Sequence, residues 1–184
     1  MTKKILCLGD SNTYGYDPRA IFGSEYDRPW PLVLSKLTGW DVINMGENGR
    51  KIPISPVFIS WIDKQIRRSL PADLLIIMLG TNDIDDAVRN YHLAGERMDQ
   101  YLAHLKAEFP KLPILLLIPV NVEYTMQAKE ISRIMREDYK KLAPKYRIRC
   151  MDTNEWGLEL TFDGVHLTEE SHVMLAGKLA EILV

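Results

Sequence analysis

Ser11, Asp163 and His166 are the side chains whose types and spacing suit nucleophilic chemistry. A serine hydroxyl is a poor nucleophile at neutral pH. It needs a base within hydrogen-bond reach and a third group that holds the base in the right tautomer. Asp163 precedes His166 by three residues. In one tight turn that separation lets the carboxylate accept from the imidazole Nδ1–H while Nε2 faces away, toward Ser11. Acyl transfer also needs donors aimed at the oxyanion of the tetrahedral intermediate. Gly49, without a side chain, can bring its N–H close to a substrate, Asn82 can supply a side-chain amide, and the Ser11 N–H is a third donor.

Residues so far apart in sequence need a scaffold that gathers them. Five short apolar runs recur, KILCLG (4–9), DVINMG (41–46), DLLIIMLG (73–80), PILLLIPV (113–120) and RIRCMD (147–152). They are mostly continuous rather than alternating, as strands buried on both faces are. Between them lie segments with apolar residues three and four apart, near 30–38, 55–70, 90–109, 127–143 and 168–183. The order βαβαβαβαβα predicts a parallel sheet covered by helices on both sides, because parallel strands need crossovers and right-handed crossovers place helices on the faces. In such sheets ligands bind beyond the C-terminal strand ends. Gly9-Asp10-Ser11-Asn12 follows the first run, Asn44 to Gly49 closes the second, and Gly80-Thr81-Asn82-Asp83 ends the third. Asp163-Gly164-Val165-His166 lies between the fifth run and the last helix.

The bulk composition narrows the classes. The 184 residues, 46% apolar and 26% charged, suit one domain spanning 1–184. With 23 Lys and Arg against 25 Asp and Glu, the net charge of -2 provides no footprint for nucleic acid or an anionic membrane. The apolar stretch after the N-terminal lysines is too short for a signal peptide, and none is long enough to span a bilayer, so a cytoplasmic location is expected. Cys7 and Cys150 sit in strand-like runs as core thiols, and no disulfide is expected between them.

The blocks GDSN, NMGENG, GTND and DGVH, in this order and spacing, resemble those of the SGNH hydrolases, the GDSL-type esterase and lipase family. The resemblance covers nearly the whole chain and is nearest to the small arylesterase-like members. It implies a three-layer α/β/α sandwich with a five-stranded parallel sheet in the flavodoxin-like order 2-1-3-4-5. It also implies Ser11 as nucleophile, His166 and Asp163 as its triad partners, and Gly49 and Asn82 completing the oxyanion hole with Ser11. Two positions depart from the family pattern. Asn12 stands where the name-giving Leu would be, at a position expected to tolerate change. Arg50-Lys51 follows Gly49 where arylesterase-like members tend to follow GR with Thr, which touches the substrate-side lining.

Plainer roles compete for several of these residues. Ser11 alone would read as a helix N-cap, and Asn82 as a turn former. His172 is a rival base but has no Asp three residues before it, while His92 and His104 fall in a helical segment as solvated residues. The acidic run Asp83, Asp85, Asp86 reads as a solvated loop or helix start rather than a metal site, and Trp30, Trp61 and Trp156 as packing residues. A signalling receiver module would use Asp10 and Asp83 for Mg²⁺, but Cys150 to Thr153 lacks the Lys it needs after the fifth strand. A flavin-binding module would want a loop richer in Ser, Thr and Gly than SNTYG. The expected function is a cofactor-free, metal-independent serine esterase acting on small, short-acyl carboxylic esters. The alternative is a carbohydrate O-acetyl deacetylase with the same residues. Neither nucleic acid nor membrane is an expected partner, and a homo-oligomer is left open. The absence of a long insertion that could form a lid, and of an exposed-looking apolar stretch, underlies the short-acyl expectation.

Overall fold

The computed structural model describes residues 2–20 and 24–184. Its main sheet contains β1 (Lys4–Gly9), β4 (Asp41–Gly46), β5 (Leu74–Met78), β6 (Ile114–Ile118) and β7 (Arg149–Asp152). All neighbours are parallel, in the spatial order β4-β1-β5-β6-β7. Numbered along the chain, these five strands stand 2-1-3-4-5, as expected. A short antiparallel pair, β2 (Tyr16–Asp17) and β3 (Ser24–Glu25), lies outside the main sheet.

Successive side chains of a strand point to opposite faces, and here both faces are apolar. Leu6 and Leu8 of β1, Leu75 and Ile77 of β5, and Leu116 and Ile118 of β6 are buried on one face. There they meet Ile62 and Ile66 of α3 (Pro56–Ser69), Met98 and Leu102 of α4 (Leu93–Glu108), and Met135 and Tyr139 of α5 (Met126–Tyr146). Ile5, Cys7, Ile76, Met78, Leu115 and Leu117 point the other way. They pack against Trp30 and Leu34 of α2 (Trp30–Thr38) and Leu175 and Leu179 of α6 (Glu169–Leu183). This double burial is why the strands read as continuous apolar runs. Each such side chain contributes about 1.5–3 kcal/mol when fully buried, so the central strands are a rigid base for the loops at their ends.

Two features lay outside the periodic signal. A four-residue helix, α1 (Ser11–Tyr14), follows β1 directly, too short for any 3.6-residue pattern to show. It presses so closely on the end of β4 that a Cβ built at Gly46 would stand 2.1 Å from the Tyr14 nitrogen. The β2–β3 pair is equally short.

Candidate active site

The site grows out of the C-terminal ends of the adjacent strands β4, β1 and β5, with β1 in the middle: Gly9 pairs in register with Gly46 on one side and Met78 on the other. Ser11 is the first residue of α1 and only 6% exposed. Asp10 caps this helix, its Oδ1 accepting from the Asn12 N–H at 2.9 Å, while its carbonyl accepts from the N–H groups of Thr13 and Tyr14. That cap holds the turn rigid, since the first N–H groups of a helix have no partner within it. Burial pushes the Asp10 carboxyl up to about 6, against the opposing pull of the Asn12 N–H.

The other half comes from the loop before α6. Leu160 and Leu167 form an isolated antiparallel bridge, and the Thr161 N–H donates to the His166 carbonyl at 2.7 Å, closing a tight turn over Asp163 and Gly164. Within the turn Asp163 Oδ1 accepts from the Thr161 hydroxyl at 2.8 Å and from the Val165 and His166 N–H groups at 2.9 and 3.0 Å. Its Oδ2 lies 2.6 Å from His166 Nδ1. Partial burial works against the charge, but the donors from His166, Val165 and Thr161 outweigh it and hold the Asp163 carboxyl down at about 2. An ionised carboxylate at Nδ1 keeps the proton on that nitrogen and leaves Nε2 as an acceptor. Nε2 lies 3.0 Å from the Ser11 hydroxyl oxygen. Tyr16 packs on the imidazole, ring centroids 4.8 Å apart at 51°. A hydroxyl so placed can give its proton to the imidazole as it attacks an electrophilic carbon.

The loops flanking Ser11 carry Gly49 and Asn82. Gly49 adopts a φ of +74°, which favours glycine, and a Cβ there would meet nothing within 4 Å, so the backbone faces open space. Its neighbour Arg50 buries its guanidinium. The guanidinium donates to the carbonyls of Gly9, at 3.1 Å, and Met45, and pairs with Glu47 at 2.5 Å. Asn82 lies in a single 3-10 turn after β5, and its Nδ2 donates to the Arg50 carbonyl at 3.0 Å, which leaves the second N–H of the amide for another acceptor. Asp83 is fully buried rather than solvated. It accepts from the Ile52 N–H at 3.0 Å and pairs with Arg97 at 2.6 Å. Burial raises its pKa, against the lowering effect of both donors. Asn82 and Asp83 together tie the Gly49 loop to the end of β5.

Similarity to known proteins gives the family. The model of the GDSL-like Lipase/Acylhydrolase family matches residues 7–173. The chain belongs to that family. No curated protein sequence matches it. Among solved structures it is similar to an arylesterase candidate from Agrobacterium tumefaciens str. C58, with 26% identity, a TM-score of 0.83, and 99% of this chain and 98% of that chain covered. It is also similar to a carbohydrate acetylesterase family member from Sinorhizobium meliloti, at 24% identity and TM-score 0.84 over 99% and 97% of the two chains. The Mycobacterium smegmatis aryl esterase, at 24% identity, gives 0.79 over 99% and 98%. The fold is the α/β fold of the SGNH hydrolases, and the protein is a carboxylic ester hydrolase.

In this GDSL-type hydrolase the rival histidines stand apart from Ser11. His172 is buried in α6, its Nδ1 accepting from the Trp30 N–H at 3.3 Å, and burial lowers its pKa to about 4. His92 is 2.6 Å from Asp138, and His104, not freely solvated, lies 3.0 Å from Asp63. Among the described residues no group of three or more His, Cys, Asp or Glu side chains is arranged to hold a metal ion. The acidic run is instead spent on Arg97, on Lys51 through Asp86, and on the Tyr124 hydroxyl through Asp85. Cys7 is buried, Cys150 partly so, and both are free thiols. No described helix is long and apolar enough to cross a membrane.

A cavity of about 660 Å³ opens beside Gly49, lined by Ile52, Ile54, Phe58 and Trp61, with neither Ser11 nor His166 in its wall. Contrary to expectation, the helix beneath it exposes an apolar surface: Val57, Phe58 and Trp61 of α3 face outward while Ile62 and Ile66 face the core. Three side chains bind the loops together, and the ties made by Asn12, Arg50 and Asp83 left no sign in the sequence. Asn12 stood out only as a departure from the family pattern, and Arg50 only as the neighbour of another at Lys51.

Proposed function

We propose that this family member hydrolyses short-acyl carboxylic esters through Ser11, His166 and Asp163 by way of an acyl-enzyme. The observation that carries the reading is the unbroken chain from Asp163 Oδ2 through His166 to the Ser11 hydroxyl, 2.6 and 3.0 Å. The Ser11 oxygen attacks the acyl carbon and its proton passes to Nε2 of His166. The N–H groups of Ser11 and Gly49 and the free N–H of the Asn82 amide stabilise the oxyanion. The intermediate expels the alcohol, which takes the proton from Nε2. Water then gives a proton to Nε2 and attacks the acyl carbon, and Ser11 leaves with that proton. Asp163 holds the imidazole throughout and stabilises its cationic form.

The short-acyl preference rests on the connections between the four blocks, among whose described residues no long insertion stands out as a lid. The apolar wall beside Gly49 favours an apolar ester part over a polar sugar. The structural relatives include both arylesterase and carbohydrate acetylesterase names, so the test sets the two side by side. A panel of p-nitrophenyl esters from acetyl to palmitoyl, run beside acetylated sugars, should show highest kcat/KM from acetyl to about hexanoyl and weaker turnover of the sugars. Rates rising steadily to palmitoyl would overturn the short-acyl reading. Faster release of acetate from sugars would replace it with the deacetylase.

A further inference from the structure

Asn12 is the side chain next to the nucleophile, and its amide reaches the histidine loop in two places. Its Nδ2 donates to the Val165 carbonyl at 3.1 Å, and its Oδ1 accepts from the Leu167 N–H at 2.8 Å. Val165 and Leu167 are the two neighbours of His166, so both partners of one amide flank the imidazole-bearing residue. The side chain is buried, with 6% of the residue exposed, and the Leu167 bond is buried with it. A planar amide with one donor and one acceptor used in opposite senses on a single stretch of loop fixes both distance and orientation, as an apolar side chain cannot. The Leu of the family name could make neither bond.

We infer that Asn12 is a positioning residue, the clasp that holds the His166 loop at working distance from Ser11. Ser11 and His166 belong to elements 155 residues apart in sequence, and their 3.0 Å contact depends on how the turn after β1 docks on the loop before α6. The Asp10 cap holds the Asn12 backbone in α1, and the Asn12 side chain holds the loop, so the position of Nε2 is referred to the same short helix that carries the hydroxyl. Tyr16 presses on the imidazole but makes no polar bond that sets its height. An error of about 1 Å in such a pair is worth roughly 100-fold in rate.

The inference rests on the proposed role of Ser11 and His166, and the test separates the two. Asn12→Leu and Asn12→Ala remove both bonds, while Asn12→Asp keeps the acceptor for the Leu167 N–H and loses the donor to Val165. Because His166 acts in both acylation and deacylation, both steps slow together. The expected result with p-nitrophenyl acetate is a fall in kcat of about 10- to 100-fold with KM within about threefold of wild type for Leu and Ala. Asn12→Asp should fall between them and wild type, and it serves if the apolar variants do not fold. A kcat within about threefold of wild type in the folded variants, whether or not Tm drops, would make Asn12 a structural tie and overturn the inference. Ser11→Ala is the control: if it keeps wild-type turnover, the proposed function fails irrespective of Asn12.

Discussion

Among single residues, Ser11, His166, Asp163 and Asn82 should differ in what their loss costs. In the proposed reaction Ser11 and His166 exchange one proton, so losing either should remove nearly all turnover, and Ser11→Ala/His166→Ala should be little worse than either alone. Losses that multiply in the double variant would contradict a proton passed between them. Asp163→Asn should be less severe but still large, since it removes the charge that keeps the proton on Nδ1. For Asn82 the structure adds a second bond, to the Arg50 carbonyl. Asn82→Ala should therefore lose about 1 kcal/mol of stability and also about 10²- to 10³-fold in kcat with KM nearly unchanged. A lowered Tm with kcat within about threefold of wild type would leave the amide a loop tie only. The residues given the proposed chemistry could be picked out of the sequence because catalysis demands particular types at strand ends. Asn12 showed only as a departure from the family pattern expected to tolerate change, because its partners lie at Val165 and Leu167, and nothing local marks an amide as reaching so far. Asp83 was misread for a related reason: an acidic run looks solvated until Arg97, fourteen residues on, is seen to cover it.

At the scale of elements, the contact of α2 with α6 contains a titratable group that takes no part in the proposed chemistry. His172 is buried beside Tyr26, with ring centroids 5.4 Å apart, and its pKa falls from 6.5 to about 4. A folded-state value below the unfolded one means that the unfolded chain binds the extra proton between these limits. The stability supplied by neutral His172 is thus complete above about pH 6.5 and is lost as pH falls toward 4. Asp10 acts in the opposite sense. Its folded value is raised by burial from 3.8 to about 6, so its contribution to stability declines as pH rises through that window. The two partly cancel in the wild type, and the difference between wild type and His172→Gln isolates the histidine. We expect the Tm of wild type relative to His172→Gln to fall from pH 7 to pH 4.5, while activity at pH 7 is retained. A constant difference would contradict a buried neutral imidazole. The larger elements were legible because burial on both faces leaves continuous apolar runs and helices leave a 3.6-residue spacing. α1 and the β2–β3 pair are too short to leave either.

At the scale of the molecule, three loops from neighbouring strands and one from the far end of the chain meet at one end of the sheet, and the sheet order makes that meeting possible. With β1 between β4 and β5, the Gly49 and Asn82 loops rise on either side of Ser11. None of the proposed steps gives a task to a metal, so EDTA should leave activity unchanged; loss on chelation with recovery on Mg²⁺ would point back to the acidic run. The central claim is that one hydroxyl in the whole chain is activated, and the most direct measurement is the mass of the intact protein after exposure to a fluorophosphonate. Attack by Ser11 forms an oxygen–phosphorus bond and expels fluoride, with the hydroxyl proton passing to His166. The account predicts one phosphonyl group per chain, full loss of esterase activity, the label mapped to the peptide holding Ser11, and none on Ser11→Ala. A label on another serine that tracks the loss of activity, or a fully active protein that takes up none, would contradict it.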